Sequence, residues 1–323
     1  MSILVTGGTG LLGTQIVRAL VREGESPVAF DVSPRPHLLS DVLDRVRIVA
    51  GDATQLPELV ETVRREKVEA IIHTAALLTI VTEANPYRAY RVNLGGTLEV
   101  LEAARLGDVK RVVYTSSAAV YGHTPADARM DESYPANPVT FYGWAKLASE
   151  GFGRLYAKTY GFDFTALRLG GVLYGPGPMG SKATIVIREM IEKSLRGEPV
   201  RIPVAPDTRY RFLYAGDAAK AHLLGLRRPQ PHPVYNFSSP SPSTVREIGD
   251  AVSKVIPSAS ISFGTAASAT EANRYAMTYE HGIVDDTLAR AELGYRPEYE
   301  IARGIQETVD WFRAGQAGAV RAA

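Results

Sequence analysis

The stretch Thr6-Gly7-Gly8-Thr9-Gly10-Leu11-Leu12-Gly13 constrains the possible folds of this chain more than any other. It follows directly on a short apolar run, Ile3-Leu4-Val5, which reads as a buried strand. It leads into a pattern from Thr14 to about Glu23 that puts Ile16, Val17, Leu20 and Val21 on one helical face. A strand, a glycine turn and a helix in that order form the supersecondary context of a dinucleotide site. Glycines let the backbone turn tightly and approach a pyrophosphate, and the helix start offers unpaired N–H groups and the positive end of its dipole. Taken alone, the same glycines would equally make a tight turn that binds nothing.

The segments that follow favour the first reading. A second strand runs from Pro27 to Phe30 and ends in Asp31, placed to accept hydrogen bonds from adenosine ribose hydroxyls and to repel a 2′-phosphate. That favours NAD over NADP, with Arg35 nearby as the opposing feature. Further strands are expected at 46–50, 70–73 and 111–115, with helices over 56–66 and 86–105 between them. This alternation implies an α/β fold, a Rossmann-type doubly wound parallel sheet. Small residues at Thr74-Ala75-Ala76, just past a strand end, suit close passage of a cofactor.

A second constellation lies downstream. Tyr142 and Lys146 are four residues apart, hence on one helical face, and Thr115-Ser116-Ser117 precedes them. An ammonium beside a phenol favours the phenolate and is expected to draw its pKa down from about 10. Such a phenol exchanges a proton with an alcohol or ketone oxygen, and a serine hydroxyl can hold the same oxygen.

Composition narrows the class of partner. With 36 basic and 35 acidic residues among 323, the chain carries no basic excess for nucleic acid and no charged tail for a membrane surface. It has no cysteine, which excludes disulfides and thiolate metal sites and fits a reducing compartment. His73 reads as a packed strand-end residue, and no metal site is expected. The longest apolar stretch, 70–81, is short for a bilayer span, and a strand at residues 3–5 leaves no room for a signal peptide. A cytoplasmic protein with a small-molecule substrate is the expectation.

These motifs, together with Gly51-Asp52, Val92-Asn93, Tyr114–Gly122, Leu167-Arg168, Tyr174-Gly175-Pro176-Gly177, Asp217 and Leu293–Pro297, resemble the extended short-chain dehydrogenase/reductases, in particular the NAD-dependent epimerase/dehydratase family. The resemblance covers nearly the whole chain. It implies Ser117, Tyr142 and Lys146 as catalytic residues, with Tyr142 and Lys146 also at the nicotinamide ribose. It implies NAD binding by Gly7, Gly10, Leu11, Leu12, Asp31, Asp52, Ala53, Thr74, Ala75, Ala76, Asn93 and Thr115. A nucleotide-binding domain over 1–174, a smaller C-terminal substrate-binding lobe over 175–314 partly interleaved with it, and a frayed tail over 315–323 follow. A homodimer through the helices near 86–105 and 140–160 is implied as well.

The chain departs from the family pattern in ways that bear on substrate. The Asp-Glu pair of the dehydratases is replaced by Ala118-Ala119, which argues against water elimination. Nucleotide-sugar epimerases place a phosphate-contacting Asn where this chain has Gly171, and their Arg-Asp pair falls on Tyr210 and Arg211. Trp144 is larger than the residue common there. Lys182, Arg209, Arg211 and Arg274, with Ser117, are the candidates for substrate contact, and Tyr275 and Tyr279 are further loose candidates. Three functions compete: a dehydrogenase releasing NADH, a 4-epimerase that returns the hydride to the other face, and an NAD-binding sensor without turnover. Intact Ser117, Tyr142 and Lys146 argue against the sensor, and the missing phosphate contacts favour net oxidation or reduction of a sugar or hydroxy-acid type of substrate.

Overall fold

The computed structural model describes residues 1–178, 184–227, 231–239, 241–268 and 282–314. It divides into two compact units, one formed by Met1–Gly170, Ala218–Ser238 and Tyr279–Arg296, the other by Gly171–Asp217, Ser239–Thr278 and Pro297–Ala323. The expected tail at 315–323 lies outside the described residues.

The first unit is built on β1 (Ser2–Thr6), β2 (Ser26–Asp31), β3 (Arg47–Ala50), β4 (Ala70–His73) and β5 (Arg111–Ser117), joined by the strands Asp163–Gly170 and Val234–Ser238. All pair in parallel, in the order Val234–Ser238, Asp163–Gly170, β5, β4, β1, β2, β3. This is the expected Rossmann-type doubly wound sheet. Parallel strands buried on both faces need near-continuous apolar runs, and Leu4, Ile71, Val112 and Ala166 accordingly join Phe30, Leu59, Val100 and Tyr114 in one core. The chain leaves β1 for β2 on one side and reaches β4 on the other. The carboxyl ends of β1 and β4 therefore flank the point where strand order reverses, the place where such sheets bind ligands.

Three elements differ from the sequence reading. The first helix begins at Leu11 and ends at Arg22, so Leu11 and Leu12 already belong to its first turn. The single helix expected over 86–105 is instead Pro86–Arg88, a wider π-helical segment Ala89–Gly95, and a regular helix Gly96–Leu106. The wide turn carries Asn93, whose carbonyl accepts the hydroxyl of Thr97 at 2.7 Å. Finally, the edge strand Val234–Ser238, with every residue buried, is not among the expected strands and lies in a stretch rich in proline and serine, 229–242. Its register against Asp163–Gly170 runs from Val234 opposite Ala166 to Ser238 opposite Gly170.

The second unit has its own core. Tyr174, Ile187, Met190, Tyr210, Phe212, Ile248, Val252 and Ile305 form one apolar cluster. The helix Val245–Val255 starts on a capping box between Thr244 and Glu247, which satisfies two otherwise unpaired N–H groups.

The strand Val234–Ser238 offers a sharp check. Phe237 is fully buried and meets Tyr295 edge-on with ring centroids 4.8 Å apart. Phe237→Ala is expected to lower unfolding free energy by about 3–5 kcal/mol, measured by chemical denaturation. A change near zero would contradict the burial of this strand.

Candidate active site

The glycine turn connects β1 to the helix Leu11–Arg22 with geometry that only glycine accommodates at two points. Gly7 has φ of +68°, and a Cβ there would stand 3.0 Å from Thr74 Oγ1 and 3.1 Å from the backbone of Ala75. A Cβ on Gly13 would collide with the carbonyl of Gly7. The N-cap residue is Gly10, with no side chain to bond the first-turn N–H groups. Those of Leu11 and Leu12 therefore face outward as donors for an anion.

Asp31, at the carboxyl end of β2, is fixed beside this turn. Its Oδ2 accepts the Thr9 hydroxyl at 2.7 Å and the Thr9 N–H at 3.1 Å, and its Oδ1 accepts the Ser33 N–H at 3.1 Å. Each carboxylate oxygen has two lone pairs, so acceptor capacity is left for ribose hydroxyls. Asp52 is held by Glu58 and accepts the N–H of Thr54 at 2.8 Å, with Ala53 buried beside it. The loop after β4 is anchored by Thr74, whose hydroxyl donates to the carbonyl of Thr6 at 2.7 Å. Ala75 and Ala76 follow, half-buried. Glycine cradle, open helix start and Asp31 together fit an adenine dinucleotide.

Asn93 acts on this loop through its side chain. Its Oδ1 accepts the N–H of Leu77 at 2.8 Å and its Nδ2 donates to the carbonyl of Leu77 at 2.8 Å, which fixes the chain just beyond Ala76. His73 is fully packed, accepting the Thr6 hydroxyl at 2.6 Å and reaching Thr97 at 3.1 Å. Among the described residues no cluster of His, Asp and Glu could hold a metal.

Tyr142 and Lys146 lie on the helix Phe141–Tyr160, whose N-cap Thr140 accepts the N–H of Gly143 at 3.0 Å. The helix projects Lys146 onto the end of β5, where its Nζ donates to the carbonyl of Thr115 at 2.6 Å. That ammonium is 4.8 Å from the ring centroid of Tyr114 and 5.5 Å from that of Tyr142. Ser117 ends β5, and its Oγ accepts the N–H of Ala119 at 3.2 Å, leaving its own proton to donate. The Ser117 hydroxyl is near enough to the Tyr142 phenol to favour its ionised form. The hydroxyl of Thr115 donates to His222 at 2.8 Å, while the other ring nitrogen of His222 donates to the carbonyl of Ala218 at 2.7 Å.

Electrostatics at the site overturns one expectation. Burial pushes the Tyr142 phenol up to about 12, opposed by the nearby Ser117 hydroxyl, although solvent still reaches part of the side chain. Burial also brings the Lys146 ammonium down to about 7, opposed by the charge of Glu150. The expected lowering of the phenol by Lys146 does not occur in the protein alone, because desolvation penalises the charged form of both groups.

The other candidates stand apart. Arg209 and Arg211 belong to the second unit, on either side of the buried Tyr210, with Arg209 exposed and its charge acting on Glu247. Lys182, Arg274, Tyr275 and Tyr279 lie outside the described residues. Ala118 and Ala119 are buried, so no acid or base replaces the missing dehydratase pair there. Sequence reasoning missed Thr9, Glu150 and His222 as supports of the site. Glu150 repeats the four-residue spacing beyond Lys146 and was within reach of that rule, whereas His222 arrives from more than a hundred residues away and left no local signal.

Strand order, glycine cradle and Asp31 define a Rossmann-type, NAD-binding protein. The family model for the NAD dependent epimerase/dehydratase family matches residues 3–237, and the chain belongs to that family. It is thereby an NAD-dependent enzyme of the extended short-chain dehydrogenase/reductase type. A UDP-glucose 4-epimerase of Lacticaseibacillus casei is 30% identical over 331 residues, covering 95% of each chain. A D-erythronate dehydrogenase of Cupriavidus necator is 33% identical over 238 residues, covering 70% of this chain and 72% of its own. Among solved structures, the UDP-glucose 4-epimerase of Thermus thermophilus in complex with NAD superposes with a TM-score of 0.80 at 28% identity, covering 97% of this chain and 99% of that one.

The two histidines beside the site predict a pH dependence of stability. Burial lowers His73 to about 3 and His222 to about 4, each aided by the charge of Lys146. A depressed folded pKa means that stability is full above the unfolded value of about 6.5 and is lost as pH falls towards the folded value. Between pH 6 and 5 each histidine should cost about 1.4 kcal/mol per pH unit. Urea unfolding of His222→Gln should show a shallower loss than wild type across that range, and equal slopes would contradict the buried neutral state.

Proposed function

We propose that the enzyme interconverts a secondary alcohol and a ketone, with Tyr142 as the acid/base, Ser117 as the group that orients the reacting oxygen and Lys146 as the cation beside them. The observation that carries this reading is the buried Lys146, bonded to the Thr115 carbonyl at 2.6 Å with its ammonium 5.5 Å from the Tyr142 ring, beside the strand end that carries Ser117. Bound NAD supplies the hydride acceptor or donor at its nicotinamide. In oxidation, the substrate hydroxyl gives its proton to the phenolate of Tyr142 as hydride leaves the carbinol carbon, and the ketone forms. In reduction, Tyr142 returns the proton to the oxygen. Ser117 donates to that oxygen in both directions, since its own oxygen is held by Ala119 N–H. With a phenol at about 12 in the protein alone, Tyr142 is in the protonated form that reduction uses, and the cation of Lys146 favours the phenolate that oxidation requires.

NAD contact by the Gly7–Leu12 turn, Asp31, Asp52, Ala53, the 74–76 loop and Thr115 belongs to the same proposal, with Asn93 setting the loop through Leu77. We assign cofactor binding to the unit holding Met1–Gly170 and substrate selection to the other, with Arg209 and Arg211 as candidate anion contacts. Net dehydrogenation of a sugar or hydroxy acid is favoured over epimerisation by Gly171. A Cβ at that position would stand 3.1 Å from the carbonyl of Arg211 and 3.2 Å from Leu213, which leaves little room for a phosphate-contacting side chain. The second reading, nucleotide-sugar 4-epimerisation, is favoured by the full-length likeness to UDP-glucose 4-epimerases. The cysteine-free composition favours a cytoplasmic enzyme.

A homodimer is part of the proposal. Among the described residues, most of the exposed large apolar side chains lie on 78–90 and 139–160, including Tyr87, Tyr90, Trp144, Phe152 and Leu155. Apolar surface concentrated in this way marks an interaction face. Leu155→Glu should shift the protein from dimer to monomer in light scattering, and a wild-type monomer would contradict the assignment.

Incubation with NAD⁺ and a panel of sugars, hydroxy acids and nucleotide sugars separates the readings. Net NADH marks a dehydrogenase, isomerised substrate without net NADH marks an epimerase, and the absence of both counts against catalysis. On the responding substrate, Tyr142→Phe should keep its fold and its affinity for NAD yet lose about three orders of magnitude in kcat, in line with general acid–base contributions. Near wild-type turnover would sink the role given to Tyr142.

A further inference from the structure

Glu150 stands four residues beyond Lys146 on the same helix, and its carboxylate is 2% exposed. Arg168, on the strand Asp163–Gly170, grips it twice, Nη2 to Oε2 at 2.7 Å and Nε to Oε1 at 2.9 Å. The hydroxyl of Ser116 donates to Oε1 at 2.5 Å. Arg168 also donates to the Tyr121 hydroxyl at 3.0 Å, which in turn donates to Asn236 Oδ1 at 2.8 Å. A buried ion pair is seldom the most stable way to fill a core, since apolar side chains of similar volume serve as well or better. Its place here is informative. Ser116, which bonds Glu150, directly follows Thr115, whose carbonyl receives Lys146.

We propose that Glu150 is a positioning residue for Lys146: held by Arg168 and Ser116, its carboxylate is the counter-charge of the buried ammonium and fixes the strand end that the ammonium grips. This rests on the role given to Lys146 above. The groups around Lys146 leave Glu150 as the anion suited to that task. Its own helix also presents Tyr142, while β5 presents Tyr114, β4 presents His73, and the helix Ala215–Arg227 presents His222. The strand Asp163–Gly170 supplies Arg168, a second cation. The helix Thr79–Ala84 carries Glu83, whose carboxylate is engaged by the N–H of Phe141, and the turn at 89–95 presents Asn93, which accepts the Ser149 hydroxyl. The tyrosines and histidines are neutral in this setting, so the opposition to burial of the ammonium comes from Glu150.

The test reads the ionisation of Lys146 directly, without turnover. The full chain is labelled with ¹³C at the lysine ε-carbon and titrated by NMR, with Lys146→Met used to assign the resonance. In Glu150→Gln the Lys146 midpoint should fall by about one to three pH units, the range expected for losing a close opposite charge. That variant leaves Arg168 buried without its partner, so Glu150→Gln/Arg168→Met is titrated beside it. The double variant should recover thermal stability yet keep a lowered midpoint. A midpoint unchanged from wild type in the double variant would overturn the proposal and leave the pair a packing feature. If the enzyme proves inactive on every substrate tried, the reading of Tyr142 fails while this titration still decides the role of Glu150.

Discussion

The desolvated ammonium of Lys146 is the interaction around which the rest of the site is arranged. It joins the helix Phe141–Tyr160 to the carboxyl end of β5 by a 2.6 Å hydrogen bond to Thr115, and it does so almost without solvent. A charge in that position is costly unless it is answered. Here it is answered by a carbonyl, by the faces of two tyrosine rings and by a carboxylate one helical turn away. The same burial keeps Tyr142 protonated and His73 and His222 neutral, with the charge of Lys146 adding to the effect at both histidines.

The parallel sheet makes this arrangement possible. β1, β4 and β5 are neighbours whose carboxyl ends carry the glycine turn, the Thr74–Ala76 loop and Ser117 in turn. The glycine turn and the loop after β4 are pinned by side-chain bonds: Thr9 to Asp31, Thr74 to Thr6, Asn93 to Leu77. Preorganised donors and acceptors of this kind cost no rearrangement when a ligand arrives. The departures at Ala118 and Ala119 bear on water elimination, and the one at Gly171 bears on substrate.

The fold was largely legible in the sequence because parallel strands buried on both faces write continuous apolar runs, and the glycines at 7, 10 and 13 mark their turn unmistakably. The π-helical turn at Ala89–Gly95 was not, since its widening departs from the regular helical spacing read over 86–105. The strand Val234–Ser238 was hidden by flanking prolines and serines, although its own residues are buried. Tyr142, Lys146 and Ser117 could be singled out from spacing and resemblance, and the structure brings them to one place. The sign of the Tyr142 shift could not be read, because it depends on desolvation by segments remote in sequence. The same distance in sequence concealed the partnership of Thr115 with His222 and that of Glu150 with Arg168.

The central claim is hydride transfer from the carbinol carbon of a substrate whose oxygen is held by Ser117 and Tyr142. Its most direct test follows an isotope. A responding secondary alcohol carrying deuterium on the carbinol carbon is incubated with the enzyme and NAD⁺, and the reduced cofactor is recovered from solution or from the protein and examined by NMR. Deuterium at C4 of the nicotinamide is the result predicted. Conversion of the alcohol with no deuterium on the cofactor would contradict it.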